Sequence, residues 1–274
     1  MRNRRVFSIL TFLALIAMIV PPGVTGFALG NSALSGDAVV NFTILHTNDF
    51  HGNLQLAGSN PGMARVATKI NEIRGLVGAE NTLLLDAGDI MQGTLLSNLF
   101  HGESTIDVYN FVGYDVATFG NHEFDWSQTT LISRTTQADF PFVSANIVIS
   151  DTGSCDTAGW QSPSWTTPWI TKTVGTAPNQ AVVGIIGVTT QETPYITLAG
   201  NTAGLCFKDP AESISHYYTD LVNAGADVLV VLSHIGYTDG GYGYGFPVYG
   251  DQTLAVRLTE AGTPVDLIIG GHWR

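Results

Sequence analysis

The sequence predicts an α/β sandwich, on three observations. Short, mostly unalternating apolar runs recur along the chain, as strands covered on both faces do. Amphipathic helical stretches fall between them. Five of the runs end abruptly in Asp, Asn or His. Alternating strands and helices bury a sheet against helical layers, so the alternation itself carries the fold class.

The expected strands are Phe42–Leu45, Thr82–Leu85, Val116–Phe119, Phe142–Ser144, Val182–Val188, Val228–Leu232 and Leu267–Ile269. Met63, Val66, Ala67, Ile70, Ile73 and Leu76 form one helical stripe at three- and four-residue spacing. Asp209-Pro210-Ala211-Glu212 places an acceptor at the N-cap, Pro in the first turn and an acid two positions later, starting a helix that stops at Gly225. Asp251 to Gly262 repeats the capped start and glycine stop. Two stretches break the rhythm. Asp151 to Pro178, rich in Ser, Thr and Pro with Trp160, Trp165 and Trp169, reads as a surface insertion. Gly236 to Gly250, rich in Gly and Tyr, reads as a loop.

A chain of 274 residues with 45% hydrophobic and 12% charged residues can bury a substantial core. Its formal charge of −12 excludes the basic footprint that non-specific nucleic-acid binding requires. The 2 cysteines are too few for a disulfide scaffold or an all-cysteine zinc module. Arg2, Arg4 and Arg5 precede an apolar run from Val6 to Val20, then Pro21, Pro22 and small residues up to Gly30. That order is a secretory signal peptide over 1–30, with cleavage after Gly26 or Gly30. The run is shorter than the roughly 20 residues of a bilayer span, and an uncleaved anchor is the alternative. The mature domain, 31–274, is then expected to be secreted, periplasmic or at the cell surface. In an oxidising compartment Cys155 and Cys206 pair, the alternative being two unpaired buried thiols.

The chemistry gathers where the strands end. Phe42–Leu45 leads into Asp49 and His51, Thr82–Leu85 into Asp86 and Asp89, and Val116–Phe119 into Asn121, His122, Glu123 and Asp125. Val228–Leu232 leads into His234, and Leu267–Ile269 into His272. Ligands of open α/β sheets sit beyond the carboxyl ends of strands, so these side chains are expected to converge on one crevice. Carboxylates and imidazoles crowded at the rim of an apolar sheet are costly unless a cation satisfies them. Mixed oxygen and nitrogen donors suit Zn, Mn, Fe or Co better than Ca. Six candidate ligands exceed the need of one open site and match two ions sharing a carboxylate. Such a pair points to in-line displacement at phosphorus. His46, His101 and His216 lie outside any motif, His216 within the expected helix.

Asp49-Phe50-His51, Gly88-Asp89, Gly120-Asn121-His122-Glu123, Ser233-His234 and Gly271-His272 resemble the ordered blocks of the calcineurin-like metallophosphoesterases. Thr47-Asn48-Asp49-Phe50-His51-Gly52, Asn121-His122-Glu123-Phe124-Asp125, Ser144-Ala145-Asn146 and Gly187-Val188-Thr189-Thr190 narrow the resemblance to the 5′-nucleotidase branch. The resemblance implies a four-layer α-β-β-α sandwich with its metal site at the carboxyl ends of the strands. It implies two divalent ions of the Zn, Mn or Co class, with Asp49 and His51 on the first, Asp89 bridging, and Asn121, His234 and His272 on the second. His122 would lie near the leaving-group oxygen, oriented by Asp125, while Asp86 and Glu123 would support the ligands. The implied activity is hydrolysis of small nucleotide phosphate esters by a two-metal-activated hydroxide. Cyclic 2′,3′-phosphodiester, nucleotide-sugar and sulfur-ester hydrolysis are variants of the same fold.

One block departs from the pattern. The family closes with Gly-His-x-His or another ligating residue in the final place, whereas Arg274 stands there. A guanidinium has no lone pair to offer a metal. Relatives continue into a C-terminal substrate-binding domain, which this sequence lacks, so the chain reads as truncated. A catalytically silent binding module is therefore the competing expectation.

Overall fold

The computed structural model describes residues 39–152 and 154–273; the expected leader and Arg274 lie outside the described residues. The strands are β1 (Thr43–Thr47), β2 (Thr82–Asp86), β3 (Val116–Thr118), β4 (Phe142–Val143), β5 (Ile147–Ile149) and β6 (Trp169–Thr176). They continue with β7 (Asn179–Thr189), β8 (Leu205–Phe207), β9 (Val228–His234), β10 (Gly241–Gly243), β11 (Phe246–Val248) and β12 (Leu267–Gly270). The helices are α1 (Gly62–Val77), α2 (Leu95–Leu99), α3 (Glu103–Val112), α4 (Gln128–Gln137), α5 (Thr193–Ile196), α6 (Pro210–Asn223) and α7 (Asp251–Glu260). Among the described residues no helix is long and apolar enough to cross a membrane.

Two sheets stack face to face. One is parallel throughout, in the order β1-β2-β3-β4. The other runs β12-β9-β7-β6, parallel except for β6, which pairs antiparallel along the edge of β7. Side-chain parity along β2 and β9 explains the layering, because successive residues of a strand point to opposite faces. Leu83 and Leu85 pack across the sandwich with Val183, Ile185, Val230 and Leu232. Leu84, between them, packs instead with Met63, Ile70, Ile106 and Tyr109 of α1 and α3. On the second sheet Leu229 and Val231 face Ile214 and Leu221 of α6 and Leu254 and Leu258 of α7. Three apolar interfaces thus separate four layers, α-β-β-α. Both faces of the central strands are covered, which is why their sequences do not alternate.

Each apolar run singled out in the sequence contributes to one of these two sheets. Two other expectations need correction. The stretch from Asp151 to Pro178 is not wholly an insertion, since Trp169–Thr176 forms β6. An edge strand needs apolar residues on one face only, and its Thr-rich, partly exposed sequence gave no continuous run. Gly236 to Gly250 contains the hairpin β10–β11, whose register leaves Tyr244 and Gly245 as a two-residue turn. Both have positive φ, as a type I′ turn requires. Tyr-Gly is a weaker signal for that turn than Asn-Gly. Asp209 caps α6 by accepting from the Glu212 amide at 3.0 Å. At α7 the N-cap is Gly250, and Asp251 begins the helix, its carboxylate accepting from Ser233 Oγ at 2.6 Å.

Cys155 and Cys206 form a disulfide with Cα atoms 5.2 Å apart, tying the remaining insertion to β8. Lys208 Nζ reinforces the tie by donating to the Ala158 carbonyl at 2.9 Å, and the Trp160 ring stacks on His216 at 4.1 Å. Asn146 accepts from the Thr189 amide at 2.9 Å and donates to the Thr189 carbonyl at 2.7 Å, fastening the loop after β4 to the end of β7.

Beneath the carboxyl end of β2, the fully buried Asp86 accepts from Thr47 Oγ1 (2.5 Å), Tyr109 OH (3.0 Å) and the Gly88 amide (2.8 Å). Burial pushes its carboxyl up to about 8, against the pull of those donors. The native chain therefore holds a proton there that the unfolded chain has already released, so this group's contribution to stability falls as pH rises from about 4 to about 8. Relative to wild type, chelator-treated Asp86→Asn should gain stability between about pH 5 and pH 8, measured as urea midpoints. A wild-type-to-variant difference that stays constant with pH would contradict this protonation.

Candidate metal centre

Five strands deliver their exits to one place. The loop after β1 lies against the loop after β2, with the Asp49 amide donating to Gly88 O and the His51 amide to Asp89 O, both at 2.9 Å. The His272 amide donates to both carboxylate oxygens of Asp49 at 3.1 Å, bringing the exit of β12 alongside. The His122 amide donates to Asp89 Oδ1 at 2.9 Å, adding the exit of β3. Below them Glu123 gathers four backbone amides, accepting from Asp89 (2.9 Å), Ile90 (2.8 Å), Met91 (3.2 Å) and Gly120 (2.7 Å). A buried carboxylate so placed fixes two loops at once.

Reaching this convergence distorts the backbone. Asp49, His51, Asp89 and His272 all have positive φ, at 49°, 51°, 56° and 90°. The left-handed region costs a non-glycine residue of order 1–3 kcal/mol and persists where the surroundings over-determine it. Gly120 is required for a different reason: a Cβ there would collide with the Asp89 carboxylate.

Asp89 is the centre of the cluster. Its carboxylate is shared by two groups whose ligand atoms lie within 4.8 Å of one another, His51–Asp89–His122 and Asp89–His234–His272. His234 Nε2 stands 3.0 Å from Asp89 Oδ2 and 4.0 Å from Asp49 Oδ1, and His51 Nε2 stands 3.9 Å from Asp89 Oδ2. Asp49 thus lies beside the second group as well, and His122 joins His51 and Asp89 in the first. The imidazoles are oriented from behind. His51 Nδ1 donates to Gln92 O at 2.8 Å and His234 Nδ1 to Ala87 O at 2.6 Å. A carbonyl can only accept, so each Nδ1 carries its proton and each Nε2 is left for the cluster.

The electrostatics call for positive charge between these groups. Burial works to lower the basicity of His234, but Asp89 and Asp49 outweigh it and carry the imidazole up to about 9. Burial likewise favours neutral Asp89, yet His234 and His122 hold its carboxyl well below the ordinary range. Burial and the neighbouring His234 push His272 down to about 3. Asn121 Oδ1, His234 Nε2 and His272 Nε2 are buried with no hydrogen-bond partner. The buried lone pairs of Asn121 and His272, with His234 and two carboxylates beside them, fit a divalent cation.

His122 differs from the others. Its Nδ1 meets Asp125 Oδ2 at 2.5 Å, and that hydrogen bond raises its pKa above the ordinary imidazole value. Its ring lies 5.2 Å from that of His51. The remaining histidines lie elsewhere: His216 on Trp160, His101 against Trp126, and His46 exposed on β1. Sequence reading did not find the Gln92 and Ala87 carbonyls, because any residue supplies that atom. It also missed Tyr237 and Trp273, which border the same cavity as Asp49 and His272.

The calcineurin-like phosphoesterase family matches residues 42–273. A snake venom 5′-nucleotidase from Gloydius brevicauda is 32% identical over 261 residues, covering 91% of this chain and 39% of that protein. The chain thus spans about two fifths of that relative's length. Among solved structures, the 5′-nucleotidase precursor of Thermus thermophilus aligns with a TM-score of 0.64 and 32% identity over 84% of this chain and 41% of that one. The calcineurin-like phosphoesterase YfkN of Bacillus subtilis aligns at 0.67 and 27% over 85% and 72%. With the four-layer sandwich and the strand-end cluster of acids and imidazoles, these matches make the chain a member of the calcineurin-like phosphoesterase family.

Proposed function

We propose that this chain is the catalytic domain of an exported, two-metal phosphoesterase acting on nucleotide phosphate esters. The observation that carries the reading is Asp89, one carboxylate shared by two imidazole groups, beside which Asn121 Oδ1, His234 Nε2 and His272 Nε2 are buried. Asp49 and His51 would hold one divalent ion, Asn121, His234 and His272 the other, and Asp89 both. When bound, the ions supply positive charge for the phosphoryl oxygens and make water acidic enough to attack near neutral pH.

The protein's own residues do the rest. The Gln92 and Ala87 carbonyls take the Nδ1 protons of His51 and His234 and so keep each Nε2 turned inward. Asp125 secures the Nδ1 proton of His122 and strengthens the hold of Nε2 on a second one. His122 then places that proton on the ester oxygen as the bond to phosphorus breaks. Glu123 keeps the Asp89 loop and the Gly120 turn in register throughout. Export is supported by the arginine-led apolar leader and by the disulfide, since oxidised cysteine pairs persist outside the cytosol.

Hydrolysis of a small chromogenic phosphate ester should vanish in a chelator and return with Mn, Co or Zn. Full turnover in the chelator would refute the metal reading, and no turnover under any metal would favour the silent binding module. His122→Ala should lower kcat by about 10²–10⁴-fold, the usual worth of a positioned acid, whereas His216→Ala should stay within about twofold. Equal losses in the two variants would remove the assignment of His122.

A further inference from the structure

Successive residues of a strand face opposite ways, so β9 turns Leu229, Val231 and Ser233 towards α7, and β12 turns Ile268 and Gly270 the same way. Both columns are apolar until their last place. There a fully buried serine is paired in the ladder with a residue that has no side chain. Asp251 fills that place from α7. Its Oδ1 accepts from Ser233 Oγ at 2.6 Å, and its Oδ2 lies against Gly270, where a Cβ would collide with it. The carboxylate is fixed from its own side too. The Asp251 amide donates to the Gly236 carbonyl at 2.8 Å, and Leu254 and Leu258 bury the helix in the core.

This contact sits just behind two of the candidate ligands. Ser233 precedes His234, and Gly270 stands two places before His272. The Gly271 amide donates to the Ser233 carbonyl at 2.9 Å, and the rings of His234 and His272 have their centres 5.1 Å apart. His272 has a φ of 90°, a conformation that persists only where the surroundings impose it. An acid in the first turn of a helix ordinarily serves that helix, yet the hydrogen bond of Asp251 goes to the sheet. Neither of the two ligand groups contains Asp251, so it acts on the ligands from behind.

We propose that Asp251 is the positioning residue of the second ion, clamping the last residue pair of the β9–β12 ladder and so setting the reach between His234 and His272. The inference rests on the two-ion reading above and names, within it, the side chain that decides how tightly one of the two ions is held. Groups that orient metal ligands from behind are worth about 10–100-fold in affinity. Asp49 and His51 leave the other sheet, from β1, and the clamp does not touch that strand.

Two backgrounds separate the ions, since His51→Ala spares the ligands of the second and His272→Ala those of the first. In calorimetric titrations of the 274-residue chain with Zn, adding Asp251→Ala to His51→Ala should weaken binding at least about tenfold. Adding it to His272→Ala should change the affinity by less than about twofold. Asp251→Asn, which still offers Ser233 an acceptor, should recover most of the loss. Ser233→Ala breaks the same contact without altering α7, and should reproduce the selective weakening; if Asp251→Ala does not fold, this variant decides. Equal losses in the two backgrounds would overturn the proposal and leave Asp251 as a prop for the fold, and no loss in either would overturn it outright. A wild-type chain that takes up fewer than two Zn ions fails the two-ion reading before any variant is made, and the proposal with it.

Discussion

A carboxylate buried among imidazoles can exist only with compensating positive charge, and Asp89 imposes that condition on everything around it. Removing a carboxylate from water costs several kcal/mol unless a cation or a full set of donors replaces the solvent. Asp89 is 2% exposed and faces His234, His51 and the amide of His122. Without metal the balance is struck by a proton on His234, whose pKa the two carboxylates raise despite its burial. A divalent ion answers the same need with more charge and with use for the buried lone pairs of Asn121 and His272. Fixed carbonyls behind His51 and His234 mean that little reorganisation is required when one form replaces the other.

The sandwich exists, in this light, to hold strand ends together. β1 and β2 come from one sheet and β9 and β12 from the other, yet Asp49 and His272 touch. Face-to-face packing of Leu83 and Leu85 against Val230 and Leu232 sets the sheets at a separation where their exits meet. The left-handed turns at Asp49, His51, Asp89 and His272 then redirect the side chains from the strand direction back towards a common centre. Such turns are unfavourable singly. They are retained because the loops are bonded to one another, with Glu123 collecting four amides that would otherwise be left unpaired.

Support extends outwards by the same logic. Phe207 on β8 packs edge-on against Phe124, which follows His122 and Glu123, with ring centres 5.3 Å apart. The neighbouring Cys206 is joined to Cys155, and Asn201 donates to the Phe124 carbonyl at 2.7 Å. The turn carrying His122 is therefore buttressed by elements distant in sequence. His122 keeps a third of its side chain open while its Nδ1 is fixed, which suits a group that must meet a substrate without wandering.

What the sequence determined by itself was the layer plan and the chemical character of the site. Apolar runs covered on both faces announce themselves by lacking alternation, and Asp, Asn and His at their ends stand out against Val, Ile and Leu. Where burial was one-sided, as in β6, or where turn geometry rested on Tyr244 and Gly245, the local signal was too weak and the elements emerged only in space. Tertiary structure alone decided which of these side chains meet: Asp49 accepts from the His272 amide and lies 4.0 Å from His234, and His122 stands with His51. It also decided which backbone carbonyls set the imidazole tautomers and which aromatic rings border the cavity. The physical reason is one of range. Hydrophobic pattern and residue type are local properties, whereas a ligand sphere is a set of distances between residues as far apart as Asp49 and His272, fixed only when the sheets have packed.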